Sequence, residues 1–224
     1  MTSRSIPPWS AIDTVMFDMD GTLLDLHFDN YFWLTLVPQH YSEKHGVSEV
    51  EATQIMRAKY KDVHGTLSWY SLDYWQEQLE LDIVKMKYTL THKIAVRPNV
   101  ERMLEALHKL NKRVVLITNA HPMSLALKMD HTGINGYFHQ LISSHDLQLA
   151  KENHGFWEKL QALEPYEPKR TLLFDDSLPV LRQAQREGIK HLWAIQQPDS
   201  QNPVLDAAEF PQVEDFDHII PSHS

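Results

Sequence analysis

Asp18 and Asp20 stand two residues apart immediately after an apolar tetrapeptide, Thr14-Val15-Met16-Phe17. If that run is a strand, alternate side chains share a face, so the two carboxylates start out pointing the same way. Like charges about 4 Å apart cost roughly 4 kcal/mol at an effective dielectric near 20. A purely structural role rarely accepts that cost. A bound cation, or a proton held on one carboxyl, removes it. Gly21 follows and lets the chain turn sharply after the pair.

The elements needed to position such a pair are visible along the chain. Four further short apolar runs lack polar alternation: Val114-Val115-Leu116-Ile117, Gln140-Leu141-Ile142, Thr171-Leu172-Leu173-Phe174 and His191-Leu192-Trp193-Ala194. They suit strands of a parallel sheet covered on both faces. Helical patterns lie between them. Val100, Met103, Leu104, Leu107 and Leu110 share one face. Met123 to Thr132 ends at Gly133, placed as a C-terminal cap. Phe156, Trp157, Leu160 and Leu163 mark a third helix, and Leu178, Leu181 and Ala184 a fourth, with Pro179 near its start. The expected fold is α/β, a Rossmann-like doubly wound sheet. Ligands gather at the carboxyl ends of such strands, which is where Asp18 and Asp20 fall.

Residues 27–96 break the alternation. Ser48 and Glu51 have capping-box spacing, and Trp69, Leu72, Trp75 and Leu79 recur at helical spacing. The division expected is a core of residues 1–26 and 97–196, a helical cap of residues 27–96 inserted after the first strand, and an irregular tail, 197–224, packing on the core. Pro198, Pro203, Pro211 and Pro221 mark that tail.

Composition sets outer limits. The 224 residues carry 30 acidic and 21 basic side chains, a formal charge of -9, with no basic run of the kind that binds nucleic acid polymers. Cysteine is absent, so disulfides and thiolate metal sites are excluded. No apolar run reaches the roughly 18 residues of a membrane span, and Met1 to Ser10 lacks secretory features. A cytoplasmic protein with no membrane partner is the expectation. No exposed apolar stripe suggests an oligomer. The 14 histidines are scattered, without a His-Glu-x-x-His pair.

Asp18-x-Asp20-Gly21-Thr22-Leu23 resembles the first signature of the haloacid dehalogenase (HAD) phosphatases. Three further signatures follow in order: Thr118-Asn119 after the second strand, Lys151 after the third, and Asp175-Asp176-Ser177 after the fourth. The resemblance covers roughly residues 14–196. It implies a magnesium-dependent phosphomonoesterase in which Asp18 is the nucleophile and Asp20 the general acid and base. It implies Mg²⁺ on Asp18, the Asp20 backbone carbonyl, and Asp175 or Asp176, with Thr118, Asn119 and Lys151 on the phosphate. Asp20 favours phosphate chemistry over dehalogenation. Asp175 replaces the commoner Gly of the fourth signature, so two assignments of the metal carboxylate stay open.

Leu24–Trp33, Leu67–Trp75 and Thr118-Asn119-Ala120-His121-Pro122 are similar to bacterial GMP/IMP nucleotidases. That likeness implies a purine 5′-mononucleotide substrate, with Trp69, Tyr70 and Asp73 as residues that read it. Aromatic rings stack on purines, and Asp73 is able to accept from a guanine edge. The competing readings are a phosphatase for a sugar phosphate or phosphoglycolate, a phosphomutase, and a non-catalytic binding protein.

Overall fold

The computed structural model describes residues 6–221, so Met1 to Ser5 and the last three residues of the tail lie outside the described residues. Six strands form one parallel sheet in the order β3-β2-β1-β4-β5-β6. They are β1 (Thr14–Phe17), β2 (Arg113–Thr118), β3 (Gln140–Ser143), β4 (Thr171–Asp175), β5 (His191–Ile195) and β6 (Gln212–Val213). The first five coincide with the five apolar runs, within a residue at each end. This is the Rossmann-like order, with β1 at the point where the winding reverses.

The absence of polar alternation has the expected cause, since both faces are buried. Val15, Phe17, Leu116, Leu172 and Phe174 join one apolar cluster, while Met16, Val115, Ile117, Leu173 and Leu192 join a second on the opposite face. The register sets Phe17 beside Leu116 on one side and Phe174 on the other. One residue further on, the Asp18 amide donates to the Phe174 carbonyl at 2.9 Å. Asp18 and Asp175 therefore leave adjacent strand ends at the same level.

Between β1 and β2 the chain is helical. It runs through α1 (His27–Tyr31), a π-helical turn Phe32–Leu36, α2 (Val37–His45), α3 (Glu49–Val63), α4 (Leu67–Tyr70), α5 (Leu72–Leu79) and α6 (Ile83–Thr89). Ser48 caps α3 by accepting from the Glu51 amide at 3.2 Å. Trp69, Leu72, Trp75 and Leu79, which recur at helical spacing, fall on two helices. Ser71 turns extended, with ψ 119°, and its hydroxyl accepts from the Tyr74 amide to start α5. A serine able to cap locally competes with continuation of the helix through it.

The remaining helices are α7 (Val100–Lys109), α8 (Pro122–Thr132), α9 (Ser144–Leu147), α10 (Phe156–Leu163) and α11 (Leu178–Arg186). Gly133 ends α8 in the left-handed conformation, as its position foretells. The tail holds more structure than an irregular wrap. β6 extends the sheet beside β5, and Phe210, Val213, Phe216 and Ile219 are buried. The Phe216 ring meets Phe17 and Phe174 edge-on at 6.0 and 5.5 Å, so the tail closes the core beneath the β1 and β4 ends.

Candidate active site

The four sequence signatures converge at the carboxyl ends of β1, β2 and β4 and on the loop after α9. Lys151 is the centre. Its ammonium donates to Asp18 Oδ1 at 2.6 Å, to Asp175 Oδ2 at 2.7 Å and to the Ile117 carbonyl at 3.2 Å. All three donors are used, and the side chain is 2% exposed. Its backbone amide donates to Asn119 Oδ1 at 2.9 Å, and its carbonyl accepts from the Trp157 indole at 3.1 Å. Burial alone lowers the lysine's proton affinity, but Asp175 and Asp18 more than offset it and hold it raised.

Asp175 is fully engaged. Its second oxygen accepts from the Ser177 amide at 2.9 Å. Asp18 is not, because its Oδ2 is buried without a partner. Burial pushes the Asp18 carboxyl up to about 6, against the pull of Lys151 and with the Asp175 charge adding to the rise. Among the described residues Asp176 receives no side-chain ion pair. Burial and the charges of Asp18 and Asp175 push its carboxyl well above the ordinary range. Three carboxylates thus surround one lysine and leave an excess of negative charge.

That donor set fits a divalent cation. Asp18 Oδ2 is an orphaned buried oxygen, and among the described residues Asp176 forms no ion pair, with burial and its acidic neighbours outweighing the attraction of Lys151. Among the described residues no three or more acidic or histidine side chains enclose a metal by themselves. Magnesium keeps several waters and takes one or two carboxylates plus substrate oxygen, so it needs no such cage. The turn that brings Asp176 close depends on Gly21. Its φ is +88°, and a Cβ there lies 2.6 Å from Asp176 Oδ2 and 2.9 Å from Pro198 Cβ. A side chain at that position meets both steric and backbone strain.

Asp20 accepts from Lys128 at 2.6 Å. Burial pushes its carboxyl up to about 7. Lys128 opposes that rise, while Asp29 and Asp18 add to it.

The Thr118 hydroxyl accepts from the Ala120 amide at 3.0 Å, leaving its proton free to donate. The Asn119 oxygen holds the Lys151 amide, and its Nδ2 donates to Glu152 Oε2 at 2.9 Å, which uses one of its two amide hydrogens. Glu152 was not singled out by sequence. It also accepts from the Tyr70 hydroxyl at 2.8 Å and so joins α4 to the β2 end. Burial first, then the Glu152 charge, raises the Tyr70 phenol.

A cavity of about 430 Å³ opens from Asp18 and Asp20 toward the helical segment, with Trp33, Tyr60, Trp69, Tyr70 and Trp75 in its wall. Trp69 meets Tyr60 and Trp75 edge-on at 5.4 and 6.2 Å. The Trp75 indole donates to the Trp69 carbonyl at 2.8 Å, so Trp75 is core while Trp69 stays half-buried. Asp73 is exposed, lies outside the cavity wall and pairs with His121 at 3.3 Å.

Residues 12–188 match the haloacid dehalogenase-like hydrolases. The chain belongs to this family. It is a hydrolase of the phosphatase kind and resembles GMP/IMP nucleotidase YrfG of Escherichia coli (strain K12), with 42% identity over 214 residues and 96% of each chain covered. Among solved structures, the HAD phosphatase from Thermococcus onnurineus superposes with a TM-score of 0.73 at 22% identity, covering 90% of this chain and 92% of that one. The HAD hydrolase YfnB from Bacillus subtilis, bound to magnesium, gives 0.63 at 17% identity, covering 92% and 96%. At these identities the two structures speak for the HAD fold alone. No helix among the described residues is long and apolar enough to cross a membrane.

Proposed function

We propose that this HAD phosphatase removes phosphate from purine 5′-mononucleotides, GMP and IMP, through a phosphoryl group carried on Asp18, with Mg²⁺ as cofactor. The observation that carries the chemistry is the Lys151 array, in which one buried cation anchors Asp18 and Asp175 and leaves Asp18 Oδ2 unpartnered. The observation that supports the substrate is the 42% identity to a GMP/IMP nucleotidase over nearly the whole chain, joined to an aromatic cavity above the carboxylates.

Phosphate monoesters resist hydrolysis, and enzymes accelerate it mainly by positioning and charge neutralisation. Asp18, the Asp20 carbonyl and Asp176 are the residues that would hold Mg²⁺, and Asp175 orients Lys151. When bound, the ion offsets the negative charge shared by phosphate and nucleophile. Lys151 keeps Asp18 ionised and turned toward the phosphorus. The Asp18 carboxylate attacks, the ester P–O bond breaks, and the proton on Asp20 passes to the departing nucleoside oxygen. Asp20, now a carboxylate, then takes a proton from water whose oxygen attacks phosphorus. The bond to Asp18 breaks, phosphate leaves, and both aspartates are restored. Thr118 donates its free hydroxyl proton to a phosphate oxygen.

Residues 27–96 act as a cap that closes over this site and excludes water. Tyr70 reaches the core through Glu152, and Trp69 offers a ring face to the base. Asp73 enters this reading only through His121.

The test is phosphate release from GMP, IMP, AMP and ribose 5-phosphate, with and without Mg²⁺, beside Asp18→Asn. Magnesium-dependent release from GMP and IMP, absent in the variant, supports the whole reading. Equal release from ribose 5-phosphate keeps the chemistry and removes the purine assignment.

A further inference from the structure

A second buried lysine stands on the other side of the reaction centre. Lys128, on the inner face of α8, is 1% exposed and donates to Asp20 Oδ1 at 2.6 Å and to Asp29 Oδ2 at 2.6 Å. The other Asp29 oxygen accepts from Lys87 at 2.9 Å, and Lys87 is 3% exposed. The line Lys87–Asp29–Lys128–Asp20 therefore alternates in sign and is neutral when every member is ionised. Apolar rings seal it: the Lys87 ammonium lies 4.5 Å from the Phe32 ring centre, and that of Lys128 lies 5.1 Å from Phe28.

Four charges out of water are costly, and apolar residues of similar volume stabilise a fold at least as well. The line is better explained by what it holds. Asp20 sits on the loop after β1, and Lys128 belongs to the core. Asp29 on α1 and Lys87 on α6 belong to the helical segment. Carboxylate rotation at Asp20 is stopped by Lys128, and Lys128 is itself fixed by groups from outside the core. A residue that delivers a proton to a departing oxygen must be held in its productive geometry, and loose support loses rate without losing binding.

We propose that Lys128 is a positioning residue that aims the Asp20 carboxyl at the leaving-group oxygen, and that Asp29 and Lys87 make this aim depend on the helical segment being docked. The inference rests on the reading of Asp20 as general acid and base. It adds three residues to the machinery that the four signatures do not contain.

The experiment compares two substrates in Lys128→Met, Asp29→Asn and Asp20→Asn. GMP releases a poor alkoxide that needs the Asp20 proton, whereas p-nitrophenyl phosphate releases a phenolate that departs without one. For Lys128→Met, kcat/KM on GMP, which reports the steps through departure of the leaving group, is expected to fall about 100-fold with KM within about threefold, while kcat/KM on p-nitrophenyl phosphate falls less than about fivefold; the water step, shared by both substrates, lowers kcat on each. Lys128→Met combined with Asp20→Asn is expected to be no slower than Asp20→Asn alone. Near-UV circular dichroism checks folding, and should Lys128→Met not fold, the isosteric Asp29→Asn carries the same substrate contrast. An equal fall in kcat/KM on both substrates in folded protein, or an additive double variant, overturns the inference. If Asp20→Asn itself lowers kcat/KM alike on the two substrates, the acid reading of Asp20 falls and this inference with it. If Asp20→Asn discriminates and Lys128→Met does not, only this inference falls.

Discussion

Lys151 and Lys128 are both buried, and each holds two aspartates at 2.6 to 2.7 Å, yet their surroundings differ. Lys151 draws its carboxylates from adjacent strand ends whose register fixes them before any side chain packs. A third carboxylate, Asp176, stands beside them without a cation of its own. Lys128 draws its carboxylates from a loop and from α1, and Lys87 completes the charge balance. The first array is rigid and electrically unfinished, which suits it to taking up a divalent ion and an anionic substrate. The second is balanced and straddles two parts of the molecule, which suits it to holding a group in place conditionally.

The sharpest way to break that contrast is at Asp18. Asp18→Asn keeps the shape and is expected to lower kcat by a factor on the order of 10⁴ or more, measured as phosphate release from GMP. Ordinary turnover by the variant removes Asp18 as nucleophile. Lys151→Met comes next. It leaves Asp18 and Asp175 facing each other without a cation, so turnover is expected to fall about 10³-fold. Stability is expected to fall by about 3–5 kcal/mol, the usual cost of breaking a buried pair, read by urea unfolding. A variant as stable as the parent contradicts the view that the lysine neutralises a buried charge.

A smaller effect is expected at the contact between the helical segment and the core. Tyr70→Phe removes the hydrogen bond to Glu152, and KM for GMP is expected to rise about tenfold, in line with about 1.5 kcal/mol for a bond to a charged group. Steady-state kinetics decide it, and an unchanged KM means that Tyr70 does not help to hold the segment closed over substrate.

The smallest effect concerns pH. Asp18 and Asp20 have folded values pushed up to about 6 and about 7, and Asp176 is raised as well. Between about pH 4 and 7 the folded chain therefore holds more protons at these groups than the unfolded chain, and ion-free protein loses stability as pH rises through that window. Asp29, held down to about 2 by Lys128 and Lys87 against the effect of burial, acts oppositely but only below about pH 4. Magnesium competes with protons for Asp18 and Asp176, so it is expected to raise Tm by about 2–4 °C more at pH 8 than at pH 5.5. Asp176→Asn should abolish the gain and Lys128→Met should leave it. Scanning calorimetry that finds the gain lost in Lys128→Met shows the two arrays to be one.

The sequence announces the first array and is silent on the second, for a physical reason. Asp18, Thr118 and Asp175 close strands, and a strand end is marked by the apolar run before it. Lys151 gains its meaning from order among the signatures. Lys128 and Lys87 are lysines inside helices, where a solvated face is the ordinary expectation. Only the apolar neighbours Leu125 and Met129, or Ile83 and Met86, hint that those faces turn inward. Asn119 shows a different limit. Its residue type fits phosphate binding, and its hydrogen bond to Glu152 is not legible, because the position of Glu152 beside Lys151 carries no pattern. In the helical segment, the spacing from Trp69 to Leu79 identifies helix correctly and misses the break at Ser71, because capping is decided by one local hydrogen bond. The tail reads as irregular because a strand of two residues has no periodicity to detect.

Pro198 lies against Gly21, and its carbonyl accepts from the Leu26 amide at 2.9 Å, while Asp199 accepts from Asn30 at 2.7 Å and Asp25 from the Ser200 amide at 3.1 Å. The loop that carries Asp18 and Asp20 is thus braced by residues such as Ser200, 175 positions beyond its partner Asp25. During synthesis Asp18 emerges well before its brace. All four signatures can be present on a nascent chain whose catalytic turn still lacks its support. The turn thus gains its support only once residues 198–200 have been made and have docked against it, so order in this loop depends on a contact between parts of the chain far apart in sequence.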